Sequence, residues 1–357
     1  MISDNSQSEK KMKSLEQFSQ KLFNHLNTND NVFISPFCVM KAMSLALYGA
    51  KGETRKIISD LLGIENNEKI EEFQRLMVND KVFNSLDAAW FKHDLDFEDS
   101  YLEFLKRIDC KNEKLNFADN NAKDVINKWV EKETDGNIKD LIHSTDENTA
   151  LILTSVCNFV GKWLIPFDVE RTKDRVFELS NGQKIKTPTM EMKEDFLYSE
   201  TDDCQMVSLP YEDGYCMNIY LPKESKNNFD LEEASEYFSK NAKELKVNLT
   251  LPKFKMSKEY DIRKTFTGMG FESIFSNNAD FSGINKNISI SEIVHKTFVE
   301  CEEKGTKASA ATAVGMVLKC MVKQPDIVNF KADHPFVFTI NKNNNVLFIG
   351  KVENPNE

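Results

Sequence analysis

The sequence predicts a single α+β domain over residues 1–357. Three observations carry this reading. Helical and strand-like segments are mixed, without the regular alternation of a doubly wound sheet. Helical spacing prevails before residue 150, and strand-like runs prevail after it. No stretch rich in Pro, Gly or Ser divides the chain, and no internal repeat is found.

The helices come first. Between Ser14 and His25, the apolar residues Leu15, Phe18, Leu22 and Phe23 recur at helical spacing. Val32-Phe33-Ile34 reads as a short buried strand stopped by Ser35-Pro36. Val39, Met40, Met43 and Leu47 then mark a helix ending at Gly49. Glu53 to Leu62 is a third helix, with Gly63 as its stop. Ala122 to Glu133 is amphipathic through Val125, Ile126, Trp129 and Val130. Leu151-Ile152-Leu153, Val156 and Phe159-Val160 read as a fully buried strand. Residues 217–221, 247–251, 336–340 and 346–349 read as further strands, several with period-two alternation. The last two flank Asn341-Lys342-Asn343-Asn344-Asn345, a hairpin turn.

Composition excludes several classes. At 40% hydrophobic residues the chain can build a substantial core, so it is not disordered. Asp and Glu outnumber Lys and Arg by 57 to 46, and the net charge of −11 argues against a nucleic-acid binder. The only short N-terminal basic cluster, Lys10, Lys11 and Lys13, reads as a solvated helix start. The first residues lack the apolar run of a secretory signal, and no apolar stretch reaches the roughly 18 residues of a membrane span. Seven scattered cysteines without a Cys-x-x-Cys pair favour a reducing compartment and no metal site. A cytoplasmic protein without membrane contact is therefore expected. Hydrolase elbows, phosphate-cradling loops and metal helices are absent, so no enzyme activity, catalytic residue or cofactor is expected. The competing reading from another class is a cytosolic Cys–His hydrolase.

Residues 303 to 326 are unusual. Glu303-Lys304-Gly305-Thr306 precedes a run of small residues, Lys307-Ala308-Ser309-Ala310-Ala311-Thr312-Ala313. So much alanine favours a helix, but no apolar stripe at 3.6 spacing accompanies it. Read with period two, Thr306, Ala308, Ala310, Thr312, Val314, Met316 and Leu318 form one wholly uncharged face, small at its start and larger later. That face suits a strand entering the middle of a sheet.

Glu-x-Gly-Thr followed by alternating small residues resembles the hinge of the serpin reactive-centre loop. The flanks agree. Residues 275–283 and 293–296 resemble segments that precede that hinge, while 332–338 and 348–355 resemble the serpin C-terminal signature. Asn31-Val32-Phe33-Ile34-Ser35-Pro36, Asn158-Phe159-Val160-Gly161-Lys162-Trp163 and Leu251-Pro252-Lys253-Phe254 are further matches, and together these segments span residues 15 to 355 in the expected order.

The resemblance implies three β-sheets, eight or nine helices and an exposed reactive-centre loop, about 303–326, above the largest sheet. It implies a protease inhibitor that acts as a suicide substrate: the target cleaves the loop, forms an acyl-enzyme, and is carried away as the hinge inserts into the central sheet. Glu303, Gly305, Thr306, Ala308, Ala310 and Thr312 are the hinge. Lys307 departs from the acidic residue usual there, on the outward face. Lys319, fourteen residues past Gly305, marks the reactive bond Lys319–Cys320 and implies a trypsin-like serine protease as partner, with Met316, Leu318, Met321 or Lys323 as alternative positions. Ser35, Asn158 and His295 match positions beneath the sheet where strands part, with Cys38 in place of a common serine, and Trp163 matches the tryptophan where insertion begins. Residues 71 to 80 offer only Arg75 as a cation, so glycosaminoglycan binding is not expected. A monomer is expected. Two alternatives stay open within the family: a non-inhibitory chaperone or carrier, and an inhibitor of cysteine proteases.

Overall fold

The computed structural model describes residues 15–76, 80–119, 121–223, 229–306, 327–343 and 345–357. Among them are eight helices. Residues 15–26 form α1, whose Leu15, Phe18, Leu22 and Phe23 are buried. After β1 (Val32–Ile34), Ser35 caps α2 (Pro36–Gly49) by accepting from the Cys38 amide, with proline at the helix start where no N–H is needed. Nearly all of α2 is buried, which is why the sequence there is apolar all round. Next come α3 (Gly52–Leu62), closed by Gly63 at a left-handed φ of 65°, and α4 (Asn67–Gln74). The remaining helices are α5 (Asp99–Arg107), α6 (Asn121–Glu133), α7 (Leu231–Asn241) and α8 (Ile262–Gly268).

Six strands form one sheet: β2 (Phe83–Lys92), β3 (Lys111–Leu115), β4 (Leu151–Phe159), β10 (Phe254–Asp261), β11 (Glu292–Glu302) and the two-residue β12 (Gly305–Thr306). Their order is β10-β11-β4-β2-β3, with β12 on β11. At its centre β11 runs parallel to β4, from Glu292 opposite Ile152 to Thr297 opposite Cys157. Every residue of β4 is buried, because the sheet is covered on both faces. The odd-numbered residues Leu151, Leu153 and Cys157 join the main core with α2. Ile152 and Val156 pack with Trp90 against Ile126 and Val130 of α6.

The other nine strands are β1, β5 (Lys173–Glu178), β6 (Lys184–Glu200), β7 (Cys204–Pro210), β8 (Tyr215–Pro222), β9 (Lys243–Pro252), β13 (Val328–Lys331), β14 (Phe336–Lys342) and β15 (Asn345–Val352). Eight of them are hydrogen-bonded in the order β1-β15-β14-β8-β7-β6-β9-β13, and β5 pairs with β6 off this path. That strand pairs with β5 and β9 along Lys184–Tyr198 and with β7 only over Leu197–Glu200. The strand is therefore shared, one stretch pairing with β5 and β9 and its end with β7. The expected turn over 341–345 is shorter than its polar composition suggests. Lys342 pairs with Asn345, and Asn343 takes the left-handed φ of 51° that asparagine tolerates. No helix among the described residues is long and apolar enough to cross a membrane.

Candidate functional site

The expected hinge leaves β11 through a tight turn at Glu303-Lys304, and β12 returns antiparallel along it, Gly305 facing Glu302 and Thr306 facing Cys301. On its other side β12 meets the segment that follows β4. The Thr306 amide donates to the Gly161 carbonyl at 2.7 Å, Gly305 bridges to Lys162, and the Trp163 amide donates to the Lys304 carbonyl at 3.1 Å. Two residues of the hinge thus already stand between β11 and the end of β4. Gly305 has a φ of 143°, and a Cβ there would overlap the Gly161 carbonyl oxygen, so this position admits only glycine. Thr306 is fully buried, its hydroxyl 2.7 Å from the Tyr211 hydroxyl. Trp163 stacks on Tyr211 with centroids 4.2 Å apart and donates its indole N–H to the Glu302 carbonyl at 2.8 Å.

Glu303 anchors the turn. Its carboxylate lies 2.8 Å from Lys253 Nζ and accepts from the Thr172 hydroxyl at 2.9 Å. Burial opposes its ionisation, but these bonds hold its pKa below the ordinary glutamate value. Ala308, Ala310, Thr312, Lys319 and Cys320 lie outside the described residues.

Beneath the sheet, the Ser35 amide donates to His295 Nε2 at 3.1 Å, and the Ser35 hydroxyl donates to the Leu347 carbonyl at 2.6 Å. Since Nε2 accepts, the proton of the neutral ring sits on Nδ1 and points to the Ser155 carbonyl, 3.0 Å away on β4. The imidazole therefore spans the β4–β11 seam. Full burial pushes its pKa down to about 4. The Ser155 hydroxyl lies 2.7 Å from Asp87 Oδ1 and 2.9 Å from the Cys38 carbonyl, one proton between two acceptors.

The site thus joins a two-residue strand beside β11 to a seam bridged by a buried histidine. A family model described as Serpin (serine protease inhibitor) matches residues 13–355. The chain belongs to the serpin family. A serpin-like protein of Thermococcus kodakarensis is 33% identical, covering 96% of this chain and 85% of that protein. A leukocyte elastase inhibitor of Sus scrofa is 31% identical, covering 95% and 98%. The crystal structure of Serpin48 of the insect Tenebrio molitor superposes with a TM-score of 0.85 at 25% identity, covering 97% and 98%.

Within the serpin frame, one expected site residue is displaced. Asn158 is not joined to Ser35 and His295: it pairs with Asn84 and accepts from Asn137 Nδ2 at 3.3 Å, on the side of the sheet that bears α6. Side chains alternate along a strand, so the Ser155 hydroxyl, three residues earlier, faces α2, while the Ser155 backbone carbonyl receives His295 across the seam. Tyr211 and Lys253 also went unassigned from sequence. Lys253 stands inside a matched motif, which was the signal available for it. Arg75 is paired with Glu71 at 3.2 Å.

Proposed function

We propose that this serpin inhibits a trypsin-like serine protease by irreversible trapping, with Lys319–Cys320 as the cleaved bond. The observation that carries the reading is β12: Gly305 and Thr306 occupy the start of a strand between β11 and the end of β4. Continuing with period two, Ala308, Ala310 and Thr312 share the face of Thr306, and none of them brings charge or bulk to a sheet interior. A hinge of this composition favours insertion over a merely carrier-like role. The protease would attack the Lys319 carbonyl, and the freed segment would extend β12 through the seam before the acyl-enzyme hydrolyses. The action is proposed for a monomer in the cytoplasm, without cofactor.

Incubation with a panel of serine and cysteine proteases, read on SDS gels, tests this. A covalent complex with a trypsin-like member, lost in Lys319→Ala and kept in Lys323→Ala, is expected. Turnover without any complex overturns inhibition. Released peptides that begin elsewhere than Cys320 overturn the assigned bond.

A further inference from the structure

Directly under the sheet lies an ion pair that neither the hinge nor the histidine bridge explains. Lys41, on α2, places its ammonium 2.8 Å from Asp87 Oδ2 on β2, the two side chains only 9% and 6% exposed. The ammonium also lies 3.3 Å from the Ser85 hydroxyl, while the other Asp87 oxygen receives Ser155 of β4. Burial opposes the lysine charge, yet Asp87 beside it raises its pKa above the ordinary value, so the ammonium keeps its proton.

What matters is which parts of the protein this pair joins. On one side, α2 is tied to β1, β15 and β11, while the Ser155 hydroxyl of β4 reaches its Cys38 carbonyl across the same seam. The helix follows β1 directly, β1 pairs with β15, and its cap Ser35 binds Leu347 of β15 and His295 of β11. The Phe33 carbonyl next to it accepts from the Thr297 hydroxyl of β11 at 2.7 Å. On the other side, Asp87 and Ser155 belong to β2 and β4, which with β3 and α6 lie across the seam. A strand entering between β11 and β4 separates the two parts by one strand spacing, about 4.8 Å. No hydrogen-bonded ion pair survives that displacement, and around these two side chains little water can replace the lost partner.

We infer that the Lys41–Asp87 pair is a latch across the opening seam, a pair of positioning residues that sets the rate at which the sheet admits the loop. The inference rests on the loop-insertion reading above and deepens it. Closing the sheet completes the pair; opening it strands two buried charges. The latch thus slows premature insertion in the intact protein.

The test replaces the pair by neutral residues of similar shape, Lys41→Met with Asp87→Asn. The measured quantity is the rate at which a synthetic peptide copying residues 305–318 anneals into the intact protein, followed as growth of a urea-resistant band. Annealing at least tenfold faster than in wild type is expected, with the melting temperature of the loop-cleaved form unchanged or raised. Annealing within twofold of wild type overturns the latch. So does an equal loss of stability in intact and cleaved forms, which marks the pair as an ordinary structural bond. If the double variant does not fold, Asp87→Asn alone carries the test with the same threshold. A cleaved wild type that gains no stability defeats the insertion reading itself, and the latch with it, a failure visible without any variant.

Discussion

Replacing Thr306 by arginine converts the inhibitor into a substrate. Thr306 is fully buried, its amide held by Gly161 and its hydroxyl by Tyr211, whose ring is in turn stacked on Trp163. Arginine loses the hydroxyl contact, worth about 1 kcal/mol. It also brings a guanidinium into a place where the neighbouring carboxylate, Glu303, is already engaged by Lys253. An uncompensated buried charge costs about 3–5 kcal/mol. In the intact protein that cost expels β12 from the sheet. After cleavage it opposes the first step of insertion and slows it by roughly two to four orders of magnitude if the transition state feels it in full. Acylation needs only the accessible bond and proceeds as before, so deacylation overtakes insertion. The assay is the ratio of SDS-stable complex to cleaved inhibitor at a fixed excess of inhibitor over protease. Wild type forms mainly complex and Thr306→Arg mainly cleaved product. Undiminished complex in Thr306→Arg would refute the inward placement of this residue as the gate to insertion.

Two further outcomes follow from the same geometry. Lys253→Ala takes from the Glu303 carboxylate, 7% exposed, its one cationic partner among the described residues, leaves it the Thr172 hydroxyl and a backbone N–H, and costs about 1–3 kcal/mol, read as a lowered melting temperature of the intact form. An unchanged midpoint contradicts the anchoring role. His295 contributes a pH dependence: unfolded, it gains a proton below 6.5, whereas folded it stays neutral down to about 4. The unfolded state therefore binds the extra proton in that window, so stability falls by about 3 kcal/mol as pH drops from 6.5 to 4. His295→Gln, which can still accept from Ser35 and donate to Ser155, removes this contribution; denaturation midpoints across that range that run parallel for both proteins contradict it.

Much of the fold was legible because its signals are local. Ser35-Pro36 starts α2, Gly63 ends α3, and the unbroken apolar run near 151 announces a strand covered on both faces. The burial of Thr306 in β12 was legible for a different reason, a period-two face without charge. What stayed hidden depends on parity and on partners distant in sequence. Asn158 stands out as polar in an apolar strand, while Ser155 beside Thr154 looks like any small strand residue; only the packing of β4 on α2 and its pairing with β11 decide that the Ser155 hydroxyl meets α2 and its carbonyl meets the histidine. Lys41 reads as an interruption of an apolar helix until Asp87, from a strand beginning more than forty residues later, is brought to it. Likewise, nothing in the residues of β6 shows that one strand changes partners along its length; its neighbours decide that.

The most direct test of the account is the melting temperature of the protein before and after a single cut within residues 314–323. Extending β12 through the seam adds on the order of ten ladder hydrogen bonds, about 10 kcal/mol in all. With an unfolding entropy of roughly 2.1 cal/mol/K per residue over 357 residues, that raises the midpoint by about 13 °C. A cleaved form that melts higher by this order is the predicted result. A cleaved form that melts no higher than the intact one shows that the loop does not enter the sheet, and contradicts the account at its centre.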